Sequence, residues 1–370
     1  MPKAHNPHPY RPATLADVGR AAGVSAMAAS VVLNGARTSS SIAPATRDRI
    51  LKAAARLRYR PNATARALAN RRMNTIGVAA VIEEGVLNQY FLEVFNGVIE
   101  AASHRGQNTT VFTLHDWERD TLRLGGFCDG RIDGLILIAP LLTRAAGRSL
   151  PTHTPFVSIH GNNPLKGVVN LESDEETGAF QVVSHLVAFG HRRILHLAGH
   201  KGLLGAERRI RGYKRALAAS GIPFDRSLLV EAGYTHKEGY RAFDEWLQKH
   251  AGQPLPQAVF CSNDLIALGV LERMAEAGLR APDDVSVAGF DDTLAARTTV
   301  PQLTTVRQPL RAMGSHAVEV LLSRVARQET RKSDDEANPI VFPVELVPRS
   351  SVGTPPKAQK LAPAPRTTSG

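Results

Sequence analysis

The chain has 370 residues, of which 43% are hydrophobic and 21% are charged. This length corresponds to two to three domains of about 150 residues, and the composition excludes a disordered chain. No run approaches the ~18 consecutive apolar residues of a membrane span, and the first twelve residues lack the apolar run of a secretory signal. The two cysteines, Cys128 and Cys261, are far apart, which excludes a disulfide framework and a thiolate zinc site. We therefore expect a cytoplasmic protein with no membrane partner.

The net charge of +11 is confined to the first fifth of the chain. Residues 1–74 contain 13 Lys and Arg but only Asp17 and Asp48 as acidic residues, whereas the other 296 residues contain 32 of each sign. A basic segment with helical patterning favours a polyanionic partner. A basic helix on a membrane surface is the alternative, but the arginines alternate with small alanines rather than with bulky apolar anchors.

Three short helices are predicted after a flexible arm. Thr14 and Asp17 form the pattern of a capping box at the start of the first helix. Gly23 ends that helix, Ser25 begins a second, and a third begins near Pro44. Two helices joined by a tight glycine turn, with a third packed on them, indicate a helix-turn-helix domain.

From residue 75 onward, buried strands alternate with helices of 10–15 residues. The predicted strands are 76–82, 109–114, 134–138, 156–159, 194–198, 228–231, 258–261 and 285–288. This alternation predicts parallel sheets, and its restart after residue 178 predicts two doubly wound α/β lobes. The segments 302–307 and 340–347 are expected to be later returns to both lobes.

Motifs of catalysis are missing from the sequence. It contains no GxxxxGK[ST], GxGxxG, HExxH or GxSxG pattern. His196 and His200 are four residues apart, but the surrounding residues predict a strand entering a loop, and Asp291-Asp292 has no evident partner base. We expect neither an enzyme nor a cofactor or metal site.

Several segments occur together in an order typical of one bacterial family. They are TLADVGRAAGVSAMAASVVLNG (14–35), RYRPNATARALA (58–69), DGLIL (133–137), DEETGAFQVVSHLVAFGHRRILHLAG (174–199), RRIRGYKRAL (208–217), FCSNDLIALG (260–269), APDDVSVAGFDD (281–292) and PQLTTVRQPL (301–310). With these segments, residues 13–352 resemble the lactose-repressor (LacI/GalR) family of transcription regulators. The resemblance implies an all-α helix-turn-helix head, joined by a hinge helix to an α/β body of two doubly wound parallel-sheet lobes like those of periplasmic binding proteins.

The resemblance also implies a domain organisation and a function. The expected parts are a flexible arm (1–12), the DNA-binding head (13–60), a hinge helix and linker (61–73), the two-lobed body (74–350) and a disordered tail (351–370). Within the body, lobe one is expected at 74–170 plus 303–330, and lobe two at 171–302 plus 338–348. The implied function is that of a homodimeric repressor that binds double-stranded DNA at a palindromic operator and responds to a small polar effector, such as a sugar.

The resemblance assigns DNA contacts to the head and the hinge. They are Thr14, Ser25, Ala26, Met27, Ser30, Val31, Asn34 and Arg37 in the head, and Asn62, Ala65, Arg66 and Leu68 in the hinge. Family members usually have Thr at position 28 and Arg at position 31, where this chain has Ala28 and Val31. Alanine and methionine contact thymine methyl groups but cannot make bidentate hydrogen bonds to bases. The alternatives are that these apolar positions only pack inside the head, and that the hinge is a plain linker rather than a helix with Leu68 as a minor-groove wedge.

Effector contacts are assigned to the cleft between the lobes. They are Tyr90, Phe91, His160, Arg209, Tyr234, Asn263, Asp291 and Gln308. Arginine offers a fork of donors, aspartate accepts hydrogen bonds from hydroxyls or amines, and tyrosine stacks on a ring. His160 lies where a carboxylate is common in the family. The alternative is that Asn263 only caps the following helix and that Asp291 lies in an ordinary turn.

Two other classes of protein remain as alternatives. One is a receptor of the periplasmic-binding type whose head does not bind specific DNA, which the absent export signal and the basic head disfavour. The other is an α/β enzyme with a basic extension, which the absent catalytic motifs disfavour. Whether effector releases or recruits DNA is left open, and no leucine heptad predicts a tetramer.

Overall fold

The computed structural model divides into two compact units, Met1–Asn74 and Thr75–Gly370. It describes residues 12–34, 42–62, 67, 72–82, 88–327 and 338–355. Within these residues no single helix has the length and hydropathy of a membrane span; only the pair Leu15–Ala22 and Ala26–Asn34, bent by 106°, meets both criteria when combined.

The first unit contains three helices that share one small core. They are α1 (Leu15–Ala22), α2 (Ala26–Asn34) and α3 (Pro44–Arg56). The predicted capping box is present, because the Asp17 amide donates to Thr14 Oγ1 at 3.3 Å and the Thr14 amide donates to Asp17 Oδ2 at 3.0 Å. One fully buried side chain from each helix, Val18, Ala29 and Ile50, meets at the centre. The helices are therefore held in the helix-turn-helix arrangement by a cap and a minimal apolar core.

The second unit consists of alternating strands and helices. Its strands are β1 (Thr75–Val81), β2 (Asn108–Leu114), β3 (Gly134–Ile138), β4 (Phe156–Ile159), β5 (Val169–Ser173), β6 (Ile194–Ala198), β7 (Leu229–Glu231), β8 (Ala258–Cys261), β9 (Ser286–Ala288), β10 (Thr305–Arg307), β11 (Ile340–Phe342) and β12 (Glu345–Val347). Its helices are α4 (Gln89–His104), α5 (Trp117–Asp120), α6 (Arg123–Phe127), α7 (Arg144–Arg148), α8 (Glu175–Ala188), α9 (Leu204–Ala219), α10 (His236–Lys249), α11 (Asp264–Glu276), α12 (Leu294–Thr298) and α13 (Leu310–Ala326).

Two parallel sheets define two lobes. The sheet of lobe one has the order β11-β5-β4-β3-β1-β2, and that of lobe two has the order β7-β6-β8-β9. Strands β10 and β12 form a separate antiparallel pair. The predicted fold class, a helical head followed by a doubly wound α/β body, is confirmed.

Continuous apolar runs account for the central strands. All five residues of β3 are buried, as expected for a parallel strand that is covered by helices on both faces. On one face α4 and α13 pack backbone to backbone: a Cβ added at Gly97 would lie 2.0 Å from the Arg311 carbonyl oxygen, and one at Gly314 would lie 2.2 Å from the Val94 carbonyl oxygen. Only glycine permits this approach, which fixes α4, and hence its first residues at the cleft, relative to the sheet.

Two short strands lie in lobes other than those predicted. Strand β11 pairs with β5 and extends the sheet of lobe one, whereas we expected 338–348 in lobe two. Strand β10 adjoins lobe two through a parallel bridge between Asp291 and Arg307, whereas we expected 303–330 in lobe one. For β10 and β11 alone the predictions are wrong, because a strand of three residues is too short for its hydrophobic pattern to indicate its partner. The rest of these ranges lies as expected: α13 packs in the core of lobe one, and β12 lies with lobe two.

The predicted disordered tail, 351–370, begins too early. Ser351 is fully buried on lobe two, where its hydroxyl donates to the Val287 carbonyl at 2.6 Å and accepts from the Thr304 amide at 2.8 Å. Residues 351–355 are therefore part of the body, and the rest of that segment lies outside the described residues.

Candidate functional site

Exposed cations cover the third helix of the head. Arg47, Arg49, Lys52 and Arg56 on α3 are all exposed, and Asp48 is the one acidic residue of that helix. Such side chains contact phosphate oxygens, which position a protein on a duplex without reading its sequence. This face therefore matches the charge of a DNA backbone.

The second helix presents apolar side chains to solvent. Met27 is 72% exposed and Ala26 is exposed, whereas Ala29 is fully buried and takes the core position of α2. Val31 is half-buried. The alternative that these apolar side chains only pack inside the head is therefore excluded for Ala26 and Met27. It holds in part for Val31.

The polar side chains of α2 are already bonded within the head. Ser25 Oγ accepts from the Ala28 amide at 3.1 Å, and Asn34 Nδ2 donates to Ser30 Oγ at 3.2 Å. Asn62 is exposed at the end of the described part of the head. The other predicted DNA contacts, namely Arg37, Ala65, Arg66 and Leu68, lie outside the described residues.

Seven of the eight predicted effector residues lie around the cleft between the two lobes, and Phe91 does not. Tyr90 and Phe91 begin α4, His160 follows β4, Arg209 is in α9, Tyr234 follows β7, Asn263 precedes α11, Asp291 follows β9, and Gln308 follows β10. All of these positions except Arg209, which is the sixth residue of α9, adjoin a strand's carboxyl end or a helix's amino end, where ligands bind in open α/β folds. Phe91 differs from the rest because its ring is buried in the core of lobe one.

On the lobe-one side, Tyr90 and His160 form a half-buried chain of hydrogen bonds. Tyr90 Oη lies 2.6 Å from His160 Nδ1, and His160 Nε2 lies 3.1 Å from Ser173 Oγ. Burial lowers the pKa of His160 to about 4 and raises the pKa of Tyr90 well above its ordinary value. Both groups are therefore neutral at pH 7, and this wall offers a ligand uncharged hydrogen-bonding groups.

On the lobe-two side, the guanidinium of Arg209 is buried. Nη2 donates to Glu175 Oε1 at 3.1 Å, Nη1 donates to the Ser262 carbonyl, and the guanidinium lies 4.1 Å from the ring centroid of Phe290. Burial disfavours its charge, but the nearby acidic groups, with Glu175 foremost, outweigh burial and raise the pKa of Arg209. Its Nε is buried without a hydrogen-bond partner among the described residues. Arg209 is thus held rigidly with one donor still available.

Asp291 and Gln308 form a second polar pair in lobe two. Gln308 Nε2 donates to Asp291 Oδ1 at 2.6 Å, while Gln308 Oε1 is buried and lacks a partner among the described residues. Burial raises the pKa of Asp291 to about 6. Its φ of +115° is a conformation that side chains rarely adopt, and such strain persists where the surrounding structure holds it at a functional site.

Asn263 caps the helix that follows it, which was the alternative to a ligand contact. Its Oδ1 accepts from the Ile266 amide at 2.8 Å and so caps α11, while its Nδ2 donates to the Tyr234 carbonyl at 2.9 Å. Asn263 therefore holds Tyr234 at the cleft by its backbone.

A buried network of ion pairs beside Arg209 was not predicted from the sequence. Glu172 and Glu175 are both buried, and Arg208 donates to both carboxylates. Because β5, α8 and α9 bring these charges together, no local signal in the sequence indicates the network.

Groups of the two lobes converge in this cleft. The charges of Asp291, Glu175 and Arg209, all in lobe two, act on the hydroxyl of Tyr90 in lobe one. Direct bonds also join the lobes: Gln89 Oε1 accepts from the Ala295 amide at 2.8 Å, and Asn162 accepts from the Leu204 amide at 2.6 Å and donates to the Gly202 carbonyl at 3.3 Å. Arg208 of lobe two pairs with Glu172, which lies in β5 of lobe one. The lobes are therefore closed over the predicted effector residues.

Among the described residues, no three His, Cys, Asp or Glu side chains form a group that could hold a metal ion.

Two family models match the chain. Residues 14–62 match bacterial regulatory proteins of the lacI family, and residues 183–352 match the periplasmic binding protein-like domain. The first match covers most of the head, and the second runs from within α8 to residue 352 of the body, in the order that the fold shows.

Relatives cover nearly the whole chain. The transcriptional repressor PurR of Vibrio atlanticus (strain LGP32) is 33% identical over 348 residues, which is 92% of this chain and 99% of the relative. The transcriptional regulator DegA of Bacillus subtilis (strain 168) is 29% identical, over 91% of this chain and 97% of that protein.

Solved structures agree with these relatives. The lac repressor dimer bound to operator and the anti-inducer ONPF is 28% identical, has a TM-score of 0.79, and covers 93% of this chain and 100% of its own. The CelR–cellobiose complex is 29% identical, has a TM-score of 0.65, and covers 92% and 99%. The chain therefore belongs to the LacI family of bacterial regulatory proteins and is a helix-turn-helix transcriptional regulator with a DNA-binding head and an effector-binding body.

Proposed function

We propose that this protein is a dimeric repressor whose affinity for a palindromic operator is controlled by a small polar effector bound between its lobes. The observation that supports this most is the closed cleft, in which Arg209 Nε and Gln308 Oε1 are buried without partners among the described residues. A buried polar atom without a partner costs roughly 1–3 kcal/mol, which a ligand bonded to it would recover.

The effector is an uncharged, hydroxyl-rich molecule, with a sugar as the first choice. Arg209 Nε donates, Gln308 Oε1 accepts, and Ser262 Oγ, also buried without a partner among the described residues, does both. Tyr234 offers a ring on which a sugar ring stacks. The cellobiose bound by CelR, a relative by structure, supports this class, and the neutral His160 distinguishes this site from family members with a carboxylate there.

The operator contacts come from the head and the hinge. The cations of α3 bind phosphates, Ala26 and Met27 face the bases, and residues 61–73 form the hinge, with Leu68 as a wedge in the minor groove. A dimer on a palindrome is supported by the relative that was solved as a dimer bound to operator. We further propose that the protein acts in the cytoplasm without catalysis or a cofactor, since its relatives are transcription regulators.

Effector binding changes the affinity for operator, and operator binding changes the affinity for effector by the same factor. A ligand that prefers one arrangement of the lobes changes operator affinity only by its differential affinity for that arrangement. Since direct bonds at Gln89, Asn162 and Glu172 already join the lobes, the ligand acts on a cleft that is closed before it binds.

Selection from random-sequence DNA tests the proposal. The full chain is incubated with a random duplex library at moderate salt, and the retained DNA is amplified and sequenced over several rounds. We expect one palindromic sequence to be enriched. Retention that depends only on salt, with no enriched sequence, would contradict sequence-specific regulation.

A further inference from the structure

We propose that the head reads DNA sequence through the 5-methyl groups of thymine and that Met27 is its specificity-determining side chain. This inference rests on the proposed operator binding but goes beyond it, because it names the chemical group that is recognised. It begins from the surface of α2, the helix that a helix-turn-helix domain places in the major groove.

Hydrogen-bonding groups are scarce on this helix. No residue of α2 is charged. Ser30 and Asn34 are bonded to each other, and the Ser25 hydroxyl is used as the cap at the amino end. Reading a base through hydrogen bonds requires a side chain that presents donors or acceptors outward, most effectively in a bidentate pair. In α2, Asn34 Nδ2 is bonded to Ser30 Oγ, and Asn34 Oδ1, which has no partner among the described residues, is buried.

Apolar groups occupy the exposed amino-terminal part of α2 instead. Ala26 is exposed and Met27 is 72% exposed, although Ala29 on the same helix is fully buried in the core. A methionine side chain is long, flexible and polarizable, so it adapts its shape to a small apolar group. The thymine methyl is the apolar group that the major groove displays, and it marks an A·T pair and its orientation.

Affinity and specificity are then supplied by different helices. The four exposed cations of α3 provide attraction to phosphates that is the same for every sequence. Methyl contacts at α2 add the part that differs between sequences. Burying one methyl group contributes about fourfold in affinity, so two symmetric thymines contribute about fifteenfold.

Substituting deoxyuridine for thymine tests the inference, because deoxyuridine pairs with adenine and lacks only the methyl group. The probe is the duplex selected from random DNA, with each thymine replaced in turn, and binding is measured by fluorescence anisotropy. For the wild type we expect about a fourfold loss of affinity at one or two thymines of each half-site. For Met27→Ala we expect no loss at those same thymines.

Leu51→Ala is the matched control. Leu51 is an apolar residue of α3 that is 45% exposed, so its variant loses a similar side chain from the same domain without changing α2. We expect Leu51→Ala to keep the wild-type sensitivity to deoxyuridine. Because Met27 is exposed and alanine favours helix, Met27→Ala should fold, which circular dichroism verifies.

Two results would overturn the inference: no thymine whose replacement weakens binding by about twofold or more, or an equal loss in Met27→Ala and the wild type. Either result leaves the proposed function intact, because a sequence has been enriched. If no sequence is enriched, the proposed function fails and the inference fails with it.

Discussion

At the scale of single residues, the cleft depends on charges that are buried and mutually paired. Arg209 lies between Glu175, the Ser262 carbonyl and the ring of Phe290, so its guanidinium has one fixed orientation. A preorganised donor of this kind binds a ligand without first having to be ordered. Because these charges are buried, removing any one member of the network lowers the free energy of unfolding.

Replacing Arg209 with methionine is expected to abolish the response to effector. The variant should bind operator without effector as the wild type does, and its free energy of unfolding should fall by about 3 kcal/mol, because Glu175 loses a buried partner. Urea unfolding and operator binding, with and without any small molecule that alters wild-type binding, measure both effects. Arg211→Met is the control, since Arg211 is 52% exposed and its ion pair with Glu176 should contribute less than about 1 kcal/mol. An unchanged response in Arg209→Met would remove this residue from the site.

Asp264 predicts a pH dependence of stability. It is fully buried, accepts from the Thr293 amide at 2.8 Å and from Thr305 Oγ1 at 2.6 Å, and burial together with the charge of the nearby Asp291 raises its pKa to about 8. Between pH 5 and 8 the folded protein holds a proton on Asp264 that the unfolded chain, with a pKa of about 3.9, has released. The free energy of unfolding should therefore fall as pH rises through this window, by up to about 1.4 kcal/mol per pH unit.

Comparison with Asp264→Asn isolates this contribution. Burial lowers the pKa of His160 and His196 to about 4, so these histidines oppose the trend near pH 5. They are common to both proteins and cancel in the difference. Urea unfolding at pH 5, 6, 7 and 8 should show the wild type losing stability relative to Asp264→Asn as pH rises. A constant difference would mean that Asp264 does not titrate in this range.

Residues of the site could be predicted where they belong to a recognisable sequence motif. They could not be predicted where the fold brings together residues that are distant in sequence. Arg209 and Asp291 belong to segments, RRIRGYKRAL and VAGFDD, that are specific enough to be placed by resemblance. The partners Glu172 and Glu175 were not predicted, because their role comes from contact between elements distant in sequence. Asn263 was located but serves as a helix cap, a role that a sequence cannot separate from ligand contact.

At the scale of elements, close packing of helices fixes the parts that line the cleft. The glycines of α4 and α13 let the two backbones approach each other, as a Cβ at Gly314 would lie 2.2 Å from the Val94 carbonyl oxygen. Backbone atoms cannot move aside as the end of a flexible side chain can. The position of α4, and with it that of Tyr90, therefore depends on this contact.

Gly314→Ala is expected to lower the free energy of unfolding by about 1–3 kcal/mol, because the added methyl forces α4 and α13 apart. The measurement is urea unfolding followed by circular dichroism. Gly126→Ala is the control: Gly126 lies in helix α6 with nothing within 4 Å of an added Cβ, so alanine there should be neutral or slightly stabilising. Equal stability of both variants would contradict the packing argument.

Long elements were predicted well and short ones poorly. The buried runs of β3 and β6 have the bounds that were predicted for them, 134–138 and 194–198. The helices α5, α6 and α7, of four or five residues, were not predicted, because so few residues carry no periodicity. The three-residue strands β10 and β11 were assigned to the wrong lobes for the same reason.

At the scale of the whole molecule, charge and chemistry are divided between the two units. All of the net charge of +11 resides in residues 1–74, and the remaining residues are balanced. This division was readable from the sequence alone, and together with the ordered motifs it predicted the fold class and the family. The sequence could not show that the lobes are closed, because that depends on bonds such as that between Asn162 and the Leu204 amide.

Salt should weaken DNA binding steeply. If the protein neutralises about six phosphates, the logarithm of its affinity falls against the logarithm of salt concentration with a slope of about −5. Lys52→Ala, which removes one exposed cation of α3, should make this slope shallower by about 0.9 for each head that binds. Arg280→Ala is the control, because Arg280 is a 77% exposed cation of lobe two. Equal slopes for Lys52→Ala and the wild type would exclude Lys52 from phosphate contact.

Retention of genomic DNA tests the central claim, that one protein couples operator binding to effector binding. Fragments of the genome that encodes the protein are incubated with the full chain at moderate salt, with and without a small-molecule extract of the same cells, and the retained fragments are sequenced. We predict that the retained fragments share a palindrome upstream of particular genes and that the extract changes their retention but not that of bulk DNA. Fragments without a shared sequence, retained equally with and without extract, would contradict the account.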